Sequence, residues 1–409
     1  MPYARAIRPA STPQARDRAL HTIEAAPSAA VAAPRILFID NVRWAMIVLV
    51  LGMHAAVTYS PLGSWYYREH PPLGVGETLF FATFQGLLQG FFMALLFFVA
   101  GYFAASSYDS KGPGGFMGGR LYRLGLPTLL YVALIGPVTE YFVAHSWHTH
   151  ASFLHEMRLY LTRGRFLSGT GPMWFCVALL IFSGAYAAWR MTGLCRPAGA
   201  EPQSGAIRPW QVACAILVLA TATFLARLAA PLGSAVFNMQ LAYFPSYILL
   251  FGLGIMARRR DWLLGADDRF AWLTAGTCVG LALAAWLPML VLGGALQGHL
   301  SAYNGGLTWQ SAAMSLWESL VCFGMSFGVL VGFRRWLAGQ GRLSKLMSDN
   351  AFAVYVIHPP ILVGLALLLS PVALAPIAKF AALWGLAALA CFGLAAPLAR
   401  RVPFVGRIL

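Results

Sequence analysis

The chain has 409 residues, of which 59% are hydrophobic and 11% charged, with a formal net charge of +15 and a mean hydropathy of +0.67. A water-soluble globule carries about 25% charged residues, so the composition excludes one and places the chain in a bilayer. The basic excess argues little for nucleic acid, because it sits at the flanks of apolar runs, as in Arg258-Arg259-Arg260 and Arg334-Arg335, where such residues orient helices and meet anionic lipid.

Residues 1–35 are rich in Ala, Pro and Arg and hold no apolar core. They are expected to be a disordered tail rather than a signal peptide or a folded domain. A run of about 20 apolar residues crosses the roughly 30 Å hydrocarbon core as a helix. Such runs recur at 37–59, 79–105, 124–144, 172–189, 210–229, 240–257, 270–294, 312–333, 351–370 and 377–399. The fold class is therefore all-α, a polytopic membrane protein of about ten transmembrane helices, with a membrane-embedded domain over 36–400 and a short tail over 401–409. With the N-terminus inside, inner segments hold 22 Lys and Arg against six near the outer ends, so both termini are expected in the cytoplasm.

The first run, NVRWAMIVLVLGMH, sets Arg43 and His54 at the ends of ten residues with no charge. Eleven residues at 100° each make about three turns plus 20°, so both side chains share a face, about 16 Å apart along the axis. Asp40 lies one turn before Arg43 and is placed to pair with it. Ionisable groups inside a membrane normally face a cavity or pathway, so Asp40, Arg43 and His54 predict a polar shaft rising from the cytoplasmic side. Plainer readings are snorkelling for Arg43 and a hydrogen bond to a neighbouring helix for His54.

Between the second and third runs, KGPGGFMGGRLYRLGLP reads as a flexible glycine-rich loop feeding a helix start with Arg120 and Arg123 one turn apart. Backbone N–H groups there, with two guanidinium groups, suit a phosphate or diphosphate; ordinary positive-inside flanking is the plainer reading. Glu140 and Glu318 are intramembrane carboxylates with no partner evident in the sequence, and either would serve to orient His54 or to bind an acceptor. The outer segment around 145–171 carries His145, His148, His150 and His155, a spacing that matches no structural zinc pattern; a short amphipathic helix is expected there and no metal. The six cysteines form no CxxC pair, and read as small apolar packing residues. His358, just before Pro359 and Pro360, is expected near the inner start of the ninth helix, as an orienting hydrogen bond at a kink or as part of a donor site.

The blocks FIDNVRWAMIVLVLGMHAAVTYS, FFMALLFFVAGYF, GRLYRLGLP, GPMWF and AVYVIHPPILV occur in that order. Together they resemble the acyltransferase 3 family of integral membrane acyltransferases, over about residues 36–400. The layout is especially similar to the branch that includes the periplasmic glucan succinyltransferase. The resemblance implies transfer of an acyl group, such as acetyl or succinyl, from cytoplasmic acyl-CoA to a hydroxyl of a glycan or other envelope acceptor in a bacterial inner membrane. Acyl-CoA would be a co-substrate, with no bound cofactor. In that reading His54 is the base or briefly carries the acyl group, with Arg43 and Asp40 in its shaft. Arg120, Arg123 and His358 bind the donor, and Trp174 or Tyr355 in the pocket, or another donor, stabilises an oxyanion. The outer aromatic loop with Trp65, Tyr66 and Tyr67 is the expected acceptor entrance. The alternative reading, a transporter or flippase for a glycan or lipid intermediate, predicts two related halves, which the sequence does not display.

Overall fold

A computed structural model of the chain describes residues 35–146, 152–165, 170–193, 206–265, 267–403 and 406, the side chains of 145 and 146 excepted. The expected tail over 1–35, but for its last residue, therefore lies outside the described residues, as do His148, His150 and Cys195. Among the described residues the protein is helical throughout, with a lone bridge between Val236 and Met239 as its sole β pairing.

The helices in chain order are α1 (Leu37–Thr58), α2 (Val75–Arg120), α3 (Leu126–Leu130), α4 (Gly136–Ser146), α5 (Phe153–Thr162), α6 (Trp174–Met191), α7 (Pro209–Ala229) and α8 (Phe244–Arg259). They continue with α9 (Trp262–Gly265), α10 (Asp268–Leu292), α11 (Ser301–Asn304), α12 (Trp309–Trp336), α13 (Arg342–Leu369), α14 (Pro376–Ala390) and α15 (Ala396–Arg401). Among the described residues nine helical stretches are long and apolar enough to cross a membrane. They account for the ten expected segments because one of them, Val75–Ala144, contains both the second and the third.

The glycine-rich segment inside that stretch is not the flexible loop its composition suggested. α2 runs through it, interrupted at Gly112, whose φ of 68° and ψ of 176° are non-helical. A positive φ is open to glycine at little steric cost, and Pro113 then restarts the helix where a missing N–H does no harm. A straight helix would carry Tyr131 about 84 Å beyond Val75. The Tyr131 hydroxyl instead lies 2.9 Å from that of Tyr66, in the loop just before Val75. The chain therefore doubles back at Gly112. On the returning arm, π turns at Leu121–Gly125 and Tyr131–Ile135 precede Pro127 and Pro137. A wider turn re-registers the ladder where a proline supplies no N–H.

α13 begins nine residues earlier than its apolar run, at Arg342, and continues past Pro359 and Pro360 to Leu369. His358 consequently sits mid-helix, about 24 Å from the helix start, and not at a kinked beginning. α1 packs against α2, α12, α13 and α14. Its first turn is tied down by Asn41, a buried amide. Asn41 Nδ2 donates to the carbonyls of Leu337 at 2.8 Å and Gly339 at 2.9 Å, while Oδ1 accepts from Ser344 Oγ at 2.6 Å, Gln340 Nε2 at 3.0 Å and Trp44 Nε1 at 3.2 Å. A buried amide with both donors and its acceptor satisfied locks position, so the Arg43 end of α1 is held against the connection between α12 and α13.

Candidate functional site

His54 lies on α1 one turn from its end and meets two other rings. The Trp65 indole stacks on it with centroids 3.5 Å apart and planes 17° from parallel. The His358 imidazole lies 5.3 Å away at 15°, and Trp65 and His358 are 5.9 Å apart at 4°. The end of α1, the loop that follows it and the distant α13 thus converge on one cluster inside the bundle.

Local sequence dictates the state of His358. In an α-helix the N–H of residue i donates to the carbonyl of residue i−4, and Pro359 has no N–H, so it leaves the Tyr355 carbonyl open. His358 Nδ1 takes that place at 2.8 Å from Tyr355 O. A carbonyl only accepts, so Nδ1 carries the proton and Nε2 presents its lone pair. That Nε2 is buried and meets no hydrogen-bond partner. The HPP sequence therefore fixes a proton on Nδ1, so that the neutral ring carries its lone pair on Nε2, beside a second imidazole.

Trp65 is delivered by the loop between α1 and α2, which is fastened at several points. Glu69 N donates to Thr58 O at 2.9 Å, Gln85 Nε2 donates to Ser60 Oγ at 2.6 Å, and the Glu69 carboxylate pairs with the buried Lys379 of α14. Tyr66 packs edge-on to Trp65, centroids 5.0 Å apart, and shares its hydroxyl bond with Tyr131. Burial pushes the Tyr66 phenol up to about 12, which keeps it protonated at neutral pH. Behind these hydroxyls stands Gly171 of the GPMWF block, with φ of 48°. A Cβ there would come within 2.5 Å of Tyr66 Oη and 2.6 Å of Tyr131 Oη, so both backbone and space require glycine. Asn238, itself left-handed at φ 62°, donates from Nδ2 to Gly171 O at 2.7 Å.

The expected pocket residues divide. Tyr355 is buried one turn from His358 and donates its hydroxyl to Pro172 O, so its one proton is engaged. Trp174 packs on Tyr247 and Phe97, with centroids 5.6 and 6.5 Å away, and makes no ring contact with His54 or His358. Neither carboxylate considered as an orienting group reaches His54. Glu140 bonds Arg165 at 3.1 Å. Glu318 pairs with the fully buried Arg227, which also reaches Ser315 Oγ at 3.4 Å. Both acids thus have partners that were not evident in the sequence. None of the ion pairs among the described residues involves His54.

At the other end of α1, Arg43 pairs with Asp40 at 3.5 Å while half of its side chain stays exposed. Arg120 lies within electrostatic range of both Arg123 and Arg43, and its guanidinium stacks 5.2 Å from the Phe116 ring centre. Neither Arg120 nor Arg123 forms an ion pair among the described residues. Arg120 ends α2 and Arg123 lies in the following π turn. Their backbone N–H groups are interior to a helical ladder, so any anion would be held by the side chains and not by a helix N-terminus. The structure pairs Asp40 with Arg43, sets Arg120 within electrostatic range of Arg43 and Arg123, and puts His358 beside His54.

His155 begins the expected short helix, α5, and is exposed; the side chain of His145 lies outside the described residues. Among the described residues no three His, Cys, Asp or Glu side chains converge to hold a metal. Two features of the ring cluster escaped the sequence reading. Trp65 appeared there as an entrance residue and packs on His54 itself, and the proline effect on Tyr355 O was available from the HPP order but was read as a kink.

No curated protein and no solved structure matches the chain. The family model for an acyltransferase domain, Acyl_transf_3, matches residues 36–399, which covers the helical bundle from α1 to α15, sets aside the transporter reading, and brings the paired histidines and the clustered arginines into one enzyme. The chain belongs to the acyltransferase 3 family and is a multi-pass membrane acyltransferase.

Proposed function

We propose that this acyltransferase moves an acyl group, acetyl or succinyl, from cytoplasmic acyl-CoA to a hydroxyl of a glycan or other envelope acceptor at a bacterial inner membrane. The observation that carries the reading is the pairing of His54 with a tautomer-locked His358 inside the bundle, on the helix whose Arg43 lies within electrostatic range of Arg120.

Coenzyme A has a phosphorylated head and a long thin arm ending in the thioester. Arg120, Arg123 and Arg43 hold the head by charge-assisted hydrogen bonds to phosphate, and the arm spans the rise of about 16 Å toward His54. A hydroxyl is a poor nucleophile at neutral pH and needs a base, a task suited to imidazole. His54 removes the hydroxyl proton as the oxygen attacks the thioester carbonyl carbon. The tetrahedral intermediate then collapses, the C–S bond breaks with its pair going to sulfur, and the thiolate takes the proton from His54.

A buried imidazolium is costly without a partner, and in many hydrolases a carboxylate fills that role. Here the neighbour is His358, whose Nε2 lone pair is unshared. An N–H···N bond of about 3 Å between two imidazoles separates their centroids by about 5 Å, close to the 5.3 Å between these rings. His358 is in this reading the acceptor that steadies protonated His54. The orientation that goes with the mechanism puts both termini and the arginine end in the cytoplasm.

The test uses inside-out vesicles fed labelled acetyl-CoA or succinyl-CoA, with and without periplasmic glycan extract. CoA release by the wild type and none by His54→Ala is the expected result. Equal release from both proteins rejects His54 as the base.

A further inference from the structure

The acyl-transfer reaction places negative charge on the thioester oxygen, and the sequence named Trp174, Tyr355 or another donor to meet it. The Tyr355 proton is engaged by Pro172 O, and Trp174 packs in a different aromatic group. A donor without an acceptor nevertheless lies in the ring cluster. Trp65 Nε1 is buried and has no partner. Four other indoles of the bundle all donate to protein acceptors: Trp44 to Asn41 Oδ1 at 3.2 Å, Trp286 to Thr83 Oγ1 at 2.8 Å, Trp317 to Ala282 O at 2.8 Å and Trp384 to Val48 O at 2.8 Å. An orphaned buried donor is costly, and such an atom in a native fold calls for an explanation.

The surroundings of Trp65 do not supply one in folding terms. Its loop is already fixed by the Glu69 contacts to Thr58 and Lys379 and by the Tyr66–Tyr131 bond. The ring's packing role, to cover one face of His54, needs no N–H and would be met by any aromatic side chain. What the indole adds over a phenyl ring is one hydrogen, next to the base. The two rings are nearly parallel with centroids 3.5 Å apart, so the indole N–H lies in the layer next to that of the base. With the acceptor hydroxyl held by the base, the thioester that it attacks has its carbonyl oxygen within reach of the neighbouring indole layer.

We infer that Trp65 is a catalytic residue, its Nε1–H donating to the thioester carbonyl oxygen as that oxygen becomes an oxyanion. The inference rests on the proposed role of His54. As the C–O bond forms, the carbonyl π pair moves to oxygen and the indole hydrogen bond shortens. When the carbonyl re-forms and the C–S bond breaks, the bond relaxes. Trp65 keeps its proton throughout, and the one proton transferred passes from hydroxyl to His54 to thiolate. A donor aimed at developing charge in a water-poor site contributes chiefly to kcat.

Two replacements isolate the hydrogen. Trp65→Phe keeps an aromatic face over His54, and benzothienylalanine placed at position 65 by codon suppression keeps the bicyclic shape while exchanging N–H for sulfur. In the vesicle assay with acetyl-CoA and succinyl-CoA both variants are expected to lose about 100-fold in kcat, with KM for acyl-CoA changed no more than about twofold and thermal unfolding of the purified protein unshifted for the benzothienyl form. Wild-type kcat in the benzothienyl variant overturns the inference, as does a loss carried wholly by KM. Activity surviving in His54→Ala in the same assay marks the failure of the underlying reading instead, so the two failures are distinguishable.

Discussion

Two buried polar clusters inside the bundle differ in one respect. Around Arg227 and Glu318, opposite charges meet each other and Ser315 adds a further contact, although Arg227 Nε is left without a partner. Around His54, His358 and Trp65 no charge pair exists among the described residues, and a lone pair on His358 and a hydrogen on Trp65 have nothing to bond. The first cluster spends its polarity on the fold, joining α7 to α12. The second keeps its polarity open, and an open donor and an open acceptor beside a base are what a substrate recognises. Unpartnered polar atoms occur in both clusters, so neither burial nor an open bond alone singles out the second; an open donor and an open acceptor flanking one imidazole do.

The comparison breaks or sharpens through substitutions in each cluster. His54→Ala is expected to lower the rate of CoA release by about 10³-fold or more, with unchanged abundance in the membrane. Near-wild-type turnover would equate the two clusters. Glu318→Leu leaves Arg227 buried and unmatched and is expected to destabilise the fold by about 3–5 kcal/mol. The double change Arg227→Met with Glu318→Leu should recover much of that loss in a thermal-unfolding measurement. A single variant as stable as the wild type would show that the pair is no clamp.

His358→Leu removes the acceptor, and a fall in kcat of about 10- to 100-fold is expected, with KM for acyl-CoA held. His358→Gln, which places an amide near the Nε2 position, should recover part of the rate. Equal losses in both variants would reduce His358 to packing. The smallest effect belongs to the arginine end. Arg120→Gln and Arg123→Gln are each expected to raise KM for acyl-CoA by about tenfold, the scale of one charge-assisted bond, with little change in kcat. An unchanged KM would return both residues to the role of membrane flanks.

Much of the architecture was legible because bilayer thickness and helical rise turn hydropathy into spans. The ten apolar runs correspond to helices, and Asp40 pairs with Arg43 as helical spacing requires. The glycine-rich stretch before Arg120 was misread because glycine and proline signal flexibility in water. In this bundle only Gly112 departs from helical geometry within α2. The partners of Glu140 and Glu318 were hidden for another reason. Arg165 and Arg227 lie 25 and 91 residues away in sequence, and no periodicity within one helix reports a contact between helices.

The sequence by itself determined the membrane class, the family, the shared face of Arg43 and His54 on α1 and, through Pro359, the tautomer of His358, since each follows from local geometry or composition. The tertiary structure alone decided that His358 stands beside His54, that Trp65 folds back onto the base, and that the intramembrane acids are engaged elsewhere. Those outcomes depend on how separate helices pack, and packing is settled by complementarity of surfaces far apart along the chain.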